Sequence, residues 1–279
     1  MYKTIIVHVD GTPQQESWLR AAAVLARDQG AHLAGSAATG ISWFDLAMLT
    51  GSMADPIVPM DFDGLREAAS LLLKEFTEQA TRLGVESVET RLIENVAEYG
   101  LLLQSRYADL VVLGQDDDTE TGLPTRVRGL PAQVALHGAR PVLVVPPSYQ
   151  GQPIAGTAVA GWDGSLQAMR AITAALPLLK RADNVKLALI NPDTLSELHG
   201  EQPGADMALY LARHGVKVDV VIERTVSTAG QALIAMARDC GAGLMVSGVY
   251  GHSRYREWVL GGVTRELLAR APVPLLISH

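Results

Sequence analysis

SGVYGHSRYREWVLGGVT, residues Ser247 to Thr264, follows a short apolar run, Leu244-Met245-Val246, and precedes a helical run, Arg265 to Ala271. Its glycines fall as Gly248-x-x-Gly251, then nine residues, then Gly261-Gly262. The apolar run reads as the end of a buried strand. A strand, a glycine-rich loop and a helix start form one physical device. Glycine lets backbone approach a ligand and accepts positive φ. The unbonded N–H groups and dipole of a helix start favour an anion such as phosphate. The spacing therefore predicts a phosphate cradle at the carboxyl end of a parallel strand. The alternative is a plain strand–loop–helix connection whose glycines serve turns only. The stretch is neither G-x-x-x-x-G-K-[ST], since the loop holds no Lys, nor G-x-G-x-x-G.

The same pattern recurs in the rest of the chain. Thr4 to Val9 is a β-branched run of the kind that is buried on both faces of a sheet, and it ends in Asp10-Gly11. Thr12-Pro13 reads as an N-cap followed by a proline at the first helical position, with Gln15 as capping-box partner. Trp18, Ala22, Leu25 and Ala26 form the inner face of that helix, and Gly30 stops it. His32 to Thr39 is a second strand. Ile41 to Gly64 is irregular, with room for a short helix. Leu65 to Gly84 is an amphipathic helix and Val88 to Leu92 a third strand. A helix over 95–107 and strands at 109–114 and 140–145 complete a β-α-β-α-β-α-β-α-β order, which implies a parallel sheet with helices on both faces.

After a linker at Pro146–Pro153 the unit restarts. Ala158 to Ser165 echoes Ile6 to Thr12, Ala242 to Gly248 echoes Ala108 to Gly114, and Ala271 to Ile277 echoes Ala139 to Val145. The offset is 163 − 10 = 153 at the front and 248 − 114 = 134 later, because the second copy has no counterpart of the Ile41–Gly64 insertion. The expected domains are 1–147 and 154–279, each a doubly wound, parallel, five-stranded α/β sheet of Rossmann-like type. In the second copy Ser165 caps a helix with Met169, Ile172 and Leu176 inward. Helices follow over 204–215 and from the capping box Thr228-x-x-Gln231, with strands at 185–190 and 217–222. Cys240 lies on the inner face of the last of these helices and reads as a buried core thiol.

Composition excludes several function classes. Net charge is −7, and no Lys/Arg run marks a nucleic-acid groove. A single cysteine forbids an internal disulfide or a cysteine-based zinc cluster. No apolar run reaches the roughly 20 residues of a membrane helix, and the first residues enter a strand without a signal-peptide layout. A cytoplasmic protein is expected, without nucleic-acid or membrane partners.

The Asp-Gly-Ser/Thr at the first strand end of each half, the glycine loop and the terminal strands after Ala-Arg-Pro and Ala-Pro-Val-Pro resemble the universal stress protein family in its tandem two-domain form. That resemblance implies the adenine-nucleotide alpha-hydrolase-like fold and a role in stress response. The family signature is G-x2-G-x9-G-(S/T). Every glycine is matched, but Gly262 stands where Ser or Thr is usual, a hydroxyl worth about 1 kcal/mol if nothing replaces it. The resemblance implies one ligand, ATP with or without Mg²⁺, in the second domain only. Asp163, with Gly161 and Trp162, would meet the ribose or adenine. Backbone near Val221 and Ile222 would flank the base. Gly248, Gly251, Gly261, Gly262, Val263 and Thr264 would hold the phosphates, with His252, Ser253 and Arg254 in the loop between. Arg254 or Arg256 would pair with the outer phosphates; the alternative is a solvated loop.

The first copy has Gln115-Asp116-Asp117-Asp118-Thr119-Glu120 after Gly114, and Leu130-Pro131 after Gly129. Carboxylates where phosphates belong repel them, so this half is expected to hold no nucleotide. The acidic spacing is not that of an EF-hand, and no metal site is expected. His8, mid-strand, reads as a core histidine. No general base stands beside the loop and no Ser–His–Asp arrangement is apparent, so a binding module is expected rather than an enzyme, with slow ATP hydrolysis as the most that chemistry would allow. The other reading is a nucleotide-free scaffold whose halves pair as a pseudo-dimer through their last strands, with a homodimer as a further partner state.

Overall fold

Aliphatic runs form the strands where the sequence places them. The structure, a computed structural model, describes residues 1–51, 62–116, 129–154, 156–193, 202–249 and 262–279. The chain divides into two compact units, Tyr2–Arg140 and Pro141–His279.

The first unit holds β1 (Thr4–His8), α1 (Gln15–Gln29), β2 (His32–Ala38), α2 (Trp43–Gly51), α3 (Phe62–Arg82), β3 (Val88–Ile93), α4 (Ala97–Ser105), β4 (Leu110–Gly114) and α5 (Leu130–His137). Its strands run parallel in the order β3-β2-β1-β4. Ile5, Ile6, Val7, Leu110, Val111 and Val112 are buried, as a sheet covered on both faces requires. The Asp109 carboxylate accepts the N–H groups of Lys3 and Thr4 at 2.7 and 3.0 Å, tying the start of β1 to that of β4. Tyr2 is buried beside them, and burial first, then the Asp109 charge, raises its phenol pKa.

The second unit holds β5 (Val142–Val145), β6 (Thr157–Gly161), α6 (Leu166–Leu179), β7 (Asn184–Ile190), α7 (Ala205–Arg213), β8 (Val218–Glu223), α8 (Ala229–Asp239), β9 (Leu244–Gly248), α9 (Gly262–Arg270) and β10 (Leu275–Ser278). The strand order is β5-β10-β9-β6-β7-β8. All neighbours are parallel except β5 and β10, which pair antiparallel through Val142↔Ile277, Leu143↔Leu276 and Val144↔Leu275. β5 ends the first sequence repeat, yet it packs with the second unit because β10 offers its open edge to it. Among the described residues no helix is long and apolar enough to cross a membrane.

Three local expectations change. Thr12 is not the N-cap of α1. Its hydroxyl and N–H both donate to Asp10 Oδ1, at 2.8 and 3.0 Å, and a turn at Pro13-Gln14 precedes the helix. Gln15 does reach back, but to the N–H groups of Asp10 and Gly11, both at 2.8 Å. Met169 faces outward. Ile172 is buried as expected, but Met169 is exposed and Leu176 half-buried, and Ala168, Ala171, Ala175, Leu178 and Leu179 complete the inner face of α6. Cys240, at the end of α8, is half-buried rather than buried. Gly30 does close α1 in the left-handed region, φ 58°, and Ser165 does cap α6 by accepting the Ala168 N–H at 3.1 Å. His8 is buried.

Candidate functional site

β6 and β9 are neighbours, registered Ala158↔Leu244 to Ala160↔Val246. From β6 the chain winds outward to β7 and β8, and from β9 it winds the other way to β10. The strand order therefore reverses between β6 and β9, and ligands of open α/β sheets bind beyond the carboxyl ends at such a point. Continuing the register sets Trp162 level with Gly248, about 4.8 Å apart across the pair, with Asp163 one residue further out. Two helices begin at this end, α6 after Ser165 and α9 at Gly262, each directing its N-terminal dipole there.

Asp163 is half-buried and accepts the Ser165 N–H at 2.9 Å. Trp162 is half-buried, and its N–H donates to the Ala188 carbonyl at 2.9 Å. Gly161 sits against Leu233: a Cβ there would lie 3.2 Å from a Leu233 methyl. Gly248 has a packing role of its own. A Cβ on it would lie 2.4 Å from the Ala168 nitrogen and 2.5 Å from the Gln167 carbonyl carbon, so backbone of the α6 start rests on it. Gly262 and Val263 are exposed, and nothing lies within 4 Å of a Cβ added at Gly262. A serine or threonine would fit there. Thr264 is buried, 4 % exposed.

Val221 and Ile222 lie on β8, the strand at the far end of the unit's order, with β7 between it and β6. Val221 is thus about 10 Å from the level of Gly161, two strand spacings. Gly251, His252, Ser253, Arg254 and Gly261, like Arg256, lie outside the described residues.

Asn191, which the sequence reading passed over, ends β7 beside this crevice. It holds φ 47°, in the left-handed region that asparagine enters more readily than most residues. Its N–H donates to the Glu223 carbonyl at 2.8 Å. Its side chain accepts the Thr225 N–H at 2.9 Å and donates to the Thr225 carbonyl at 2.8 Å. This clasp fixes the ends of β7 and β8 together. Asn191-Pro192 directly after an apolar run was the sequence signal for it. Arg224 grips Asp193 with two hydrogen bonds just beyond and holds that carboxyl below its ordinary pKa. Behind the crevice, Thr228 caps α8 by accepting the Gln231 N–H at 3.2 Å, and its hydroxyl donates to Glu266 of α9.

The corresponding end of the first copy is packed differently. Gly11 holds φ 74°, and a Cβ on it would lie 2.6 Å from a Leu72 methyl of α3. Gln15 occupies the Asp10 and Gly11 N–H groups. Gly114, the counterpart of Gly248, lies against the Trp18 ring, 2.4 Å from a would-be Cβ. Asp116 accepts the Gly129 N–H at 3.2 Å, and 117–128 lie outside the described residues. A groove of about 420 Å³ opens beside this end, lined by Gly11, Thr12, Pro13 and Gln15 together with residues of α1 and α3. Within it Arg20 is paired with Glu16. Among the described residues no group of His, Cys, Asp and Glu could hold a metal ion.

The sequence profile of the universal stress protein family matches residues 1–146 and again 156–279. The chain therefore belongs to that family and carries two of its domains in tandem. Among curated proteins none matches the chain. Among solved structures, a universal stress protein from Archaeoglobus fulgidus DSM 4304 aligns with 99 % of this chain and 97 % of its own, at 15 % identity and a TM-score of 0.72. A functionally unknown protein from Pseudomonas aeruginosa PAO1 aligns with 99 % of this chain and 92 % of its own, at 15 % identity and a TM-score of 0.63. At such identity these similarities establish the fold alone. A universal stress protein in complex with cAMP aligns with 53 % of this chain and 98 % of its own, at 21 % identity and a TM-score of 0.38.

Proposed function

We propose that the second copy is an adenine-nucleotide binding module, taking ATP with or without Mg²⁺ in the crevice beyond β6 and β9, and that occupancy serves a stress response in the cytoplasm. The observation that carries this reading is the meeting of Asp163, Gly248 and two helix N-termini where the strand order reverses. The carboxylate suits ribose hydroxyls, and the helix starts suit phosphate oxygens. Gly251 and Gly261 would complete the phosphate cradle, and Asn191 joins the site by holding the strand ends that flank the base. The domain bounds 1–147 and 154–279 and the absence of catalysis belong to the same proposal. Calorimetric titration of ATP–Mg²⁺ into the wild type and Gly261→Val tests it. Binding is expected in the wild type and its loss in the variant. No heat in either protein sinks the reading.

A second reading, a nucleotide-free scaffold, is favoured by one observation. The contact of Gly248 with the α6 backbone accounts for that glycine without any ligand. In this reading the repeats form a pseudo-dimer through their last strands, which the β5–β10 register supports, and the protein acts through its surfaces, a homodimer included.

A further inference from the structure

The two repeats treat their outer strands differently. β3 and β8 correspond (218 − 88 = 130), and each has a strand on one side only among the described residues. Over β3 lies α3, 21 residues long. The face of β3 is also occupied by paired charges. Arg91 donates to Glu89 at 2.7 Å, His32 meets Glu89 at 3.0 Å, and together they hold the Glu89 pKa down at about 2. Such features blunt an edge. Over β8, among the described residues, lies the shorter α7, 9 residues long. Val220 and Ile222 are each left 40 % exposed.

No described strand pairs with the side of β8 away from β7. The Lys217 and Glu223 carbonyls accept from Val185 and Asn191 of the β7 side. Backbone groups alternate along a strand, so those of Val218, Val220 and Ile222 point away from β7. The sequence Lys217-Val218-Asp219-Val220-Val221-Ile222-Glu223 matches itself antiparallel about Val220 at every pair but Asp219 and Val221, and Asp219 accepts the Asn184 side-chain N–H within its own sheet. Lys217 falls opposite Glu223, and Val218 opposite Ile222. The same operation on β3, about Thr90, sets Ser87 opposite Ile93 with no charge pair at the ends, and finds Glu89 and Arg91 already engaged with each other.

We propose that β8 is a homodimer interface: two copies of the chain pair edge to edge, antiparallel about Val220. The pairing forms about six backbone hydrogen bonds from three facing residue pairs. It stacks Val220 on the partner's Val220 and Val218 on the partner's Ile222, and it sets Lys217 across from the partner's Glu223 at both ends. It goes beyond the nucleotide reading and stands or falls separately from it.

Sedimentation velocity on the full chain, over a concentration series from low micromolar to submillimolar, tests the proposal. The wild type is expected to dimerise. Val220→Pro deletes an N–H that points away from β7, so it spares the sheet while weakening the dimer about thirtyfold. Lys217→Glu sets two carboxylates against each other at each end and weakens it further at low salt. The double variant Lys217→Glu/Glu223→Lys restores the wild-type dissociation constant. If Val220→Pro does not fold, the two charge variants decide. A wild type that stays monomeric throughout, leaving the edge for an extended peptide, overturns the proposal. So does a dimer whose dissociation constant neither substitution moves.

Discussion

The two first-strand ends, Asp10-Gly11-Thr12 and Asp163-Gly164-Ser165, start from nearly the same sequence and reach opposite conditions. In both, the aspartate accepts the N–H two residues on. The first is then closed by Gln15 and by Leu72 from the long α3. The second has no described helix of that length after β7 and lies between two helix starts. One substitution carries much of the difference in helix packing. Trp18 of α1 corresponds to Ala171 of α6 (171 − 153 = 18). The Trp18 ring, its indole N–H bonded to the His8 carbonyl at 2.8 Å, spaces α1 from Gly114. With alanines in its place, α6 comes down until its backbone meets Gly248. Duplicated sequence thus yields two strand ends that are packed differently.

The comparison can be broken most severely at Phe76. Its ring fills the space over Gly35 of β2, 2.4 Å from a would-be Cβ, and is fully buried. Phe76→Ala is expected to cost about 3–5 kcal/mol by the midpoint of urea unfolding. An effect below that range would mean that α3 does not depend on this anchor to cover the first copy. Next comes Gly248→Ala, which has to displace α6 backbone and is expected to cost about 1–3 kcal/mol with no nucleotide present. An unchanged apo melting curve together with lost ATP binding would assign this glycine to the ligand and not to packing. Thr228→Ala removes the cap of α8 and the Glu266 bond, and about 1 kcal/mol of stability is expected to go with them in thermal denaturation.

Two smaller effects sharpen the contrast. Glu89→Gln on β3 should cost well under about 1 kcal/mol at neutral pH, since the group is largely solvent-screened. Arg91 and then His32 lower its pKa from 4.5 to about 2. The folded value lies below the unfolded one, so the contribution is complete above pH 4.5 and fades as pH falls toward 2. Wild type and variant should therefore converge in acid; a difference that persists near pH 2 would mean the charge is not its source. Gly262→Ser meets open space and should leave stability within about 0.5 kcal/mol. In the nucleotide reading it adds one hydrogen bond and tightens ATP about three- to tenfold in calorimetry. Unchanged affinity would place the phosphates elsewhere.

The repeat, the α/β class and the strand positions were legible because periodicity and β-branched runs act locally. Gly30 and Ser165 were legible for the same reason, since each serves its own helix end. On α6 Ile172 was legible but the outward turn of Met169 was not, because Met169 is apolar by itself and the inner positions beside it are alanines. Asn191 gave its signal in Asn191-Pro192, but its partner, Thr225, is 34 residues away. The packing of Gln167 and Ala168 upon Gly248 was not legible, because they lie about 80 residues away in sequence (248 − 168 = 80).

By itself, then, the sequence determined that this protein is two copies of one universal stress unit, and it offered the pairing of the last strands as one of two readings. Only the tertiary structure decided that β5 does pair antiparallel with β10, that Leu72 and Gln15 pack on the first copy's strand end, and that α7 over β8 is shorter than α3 over β3. Those outcomes depend on which surfaces meet and how much volume lies between them, and residues distant in sequence share that volume without leaving a local pattern.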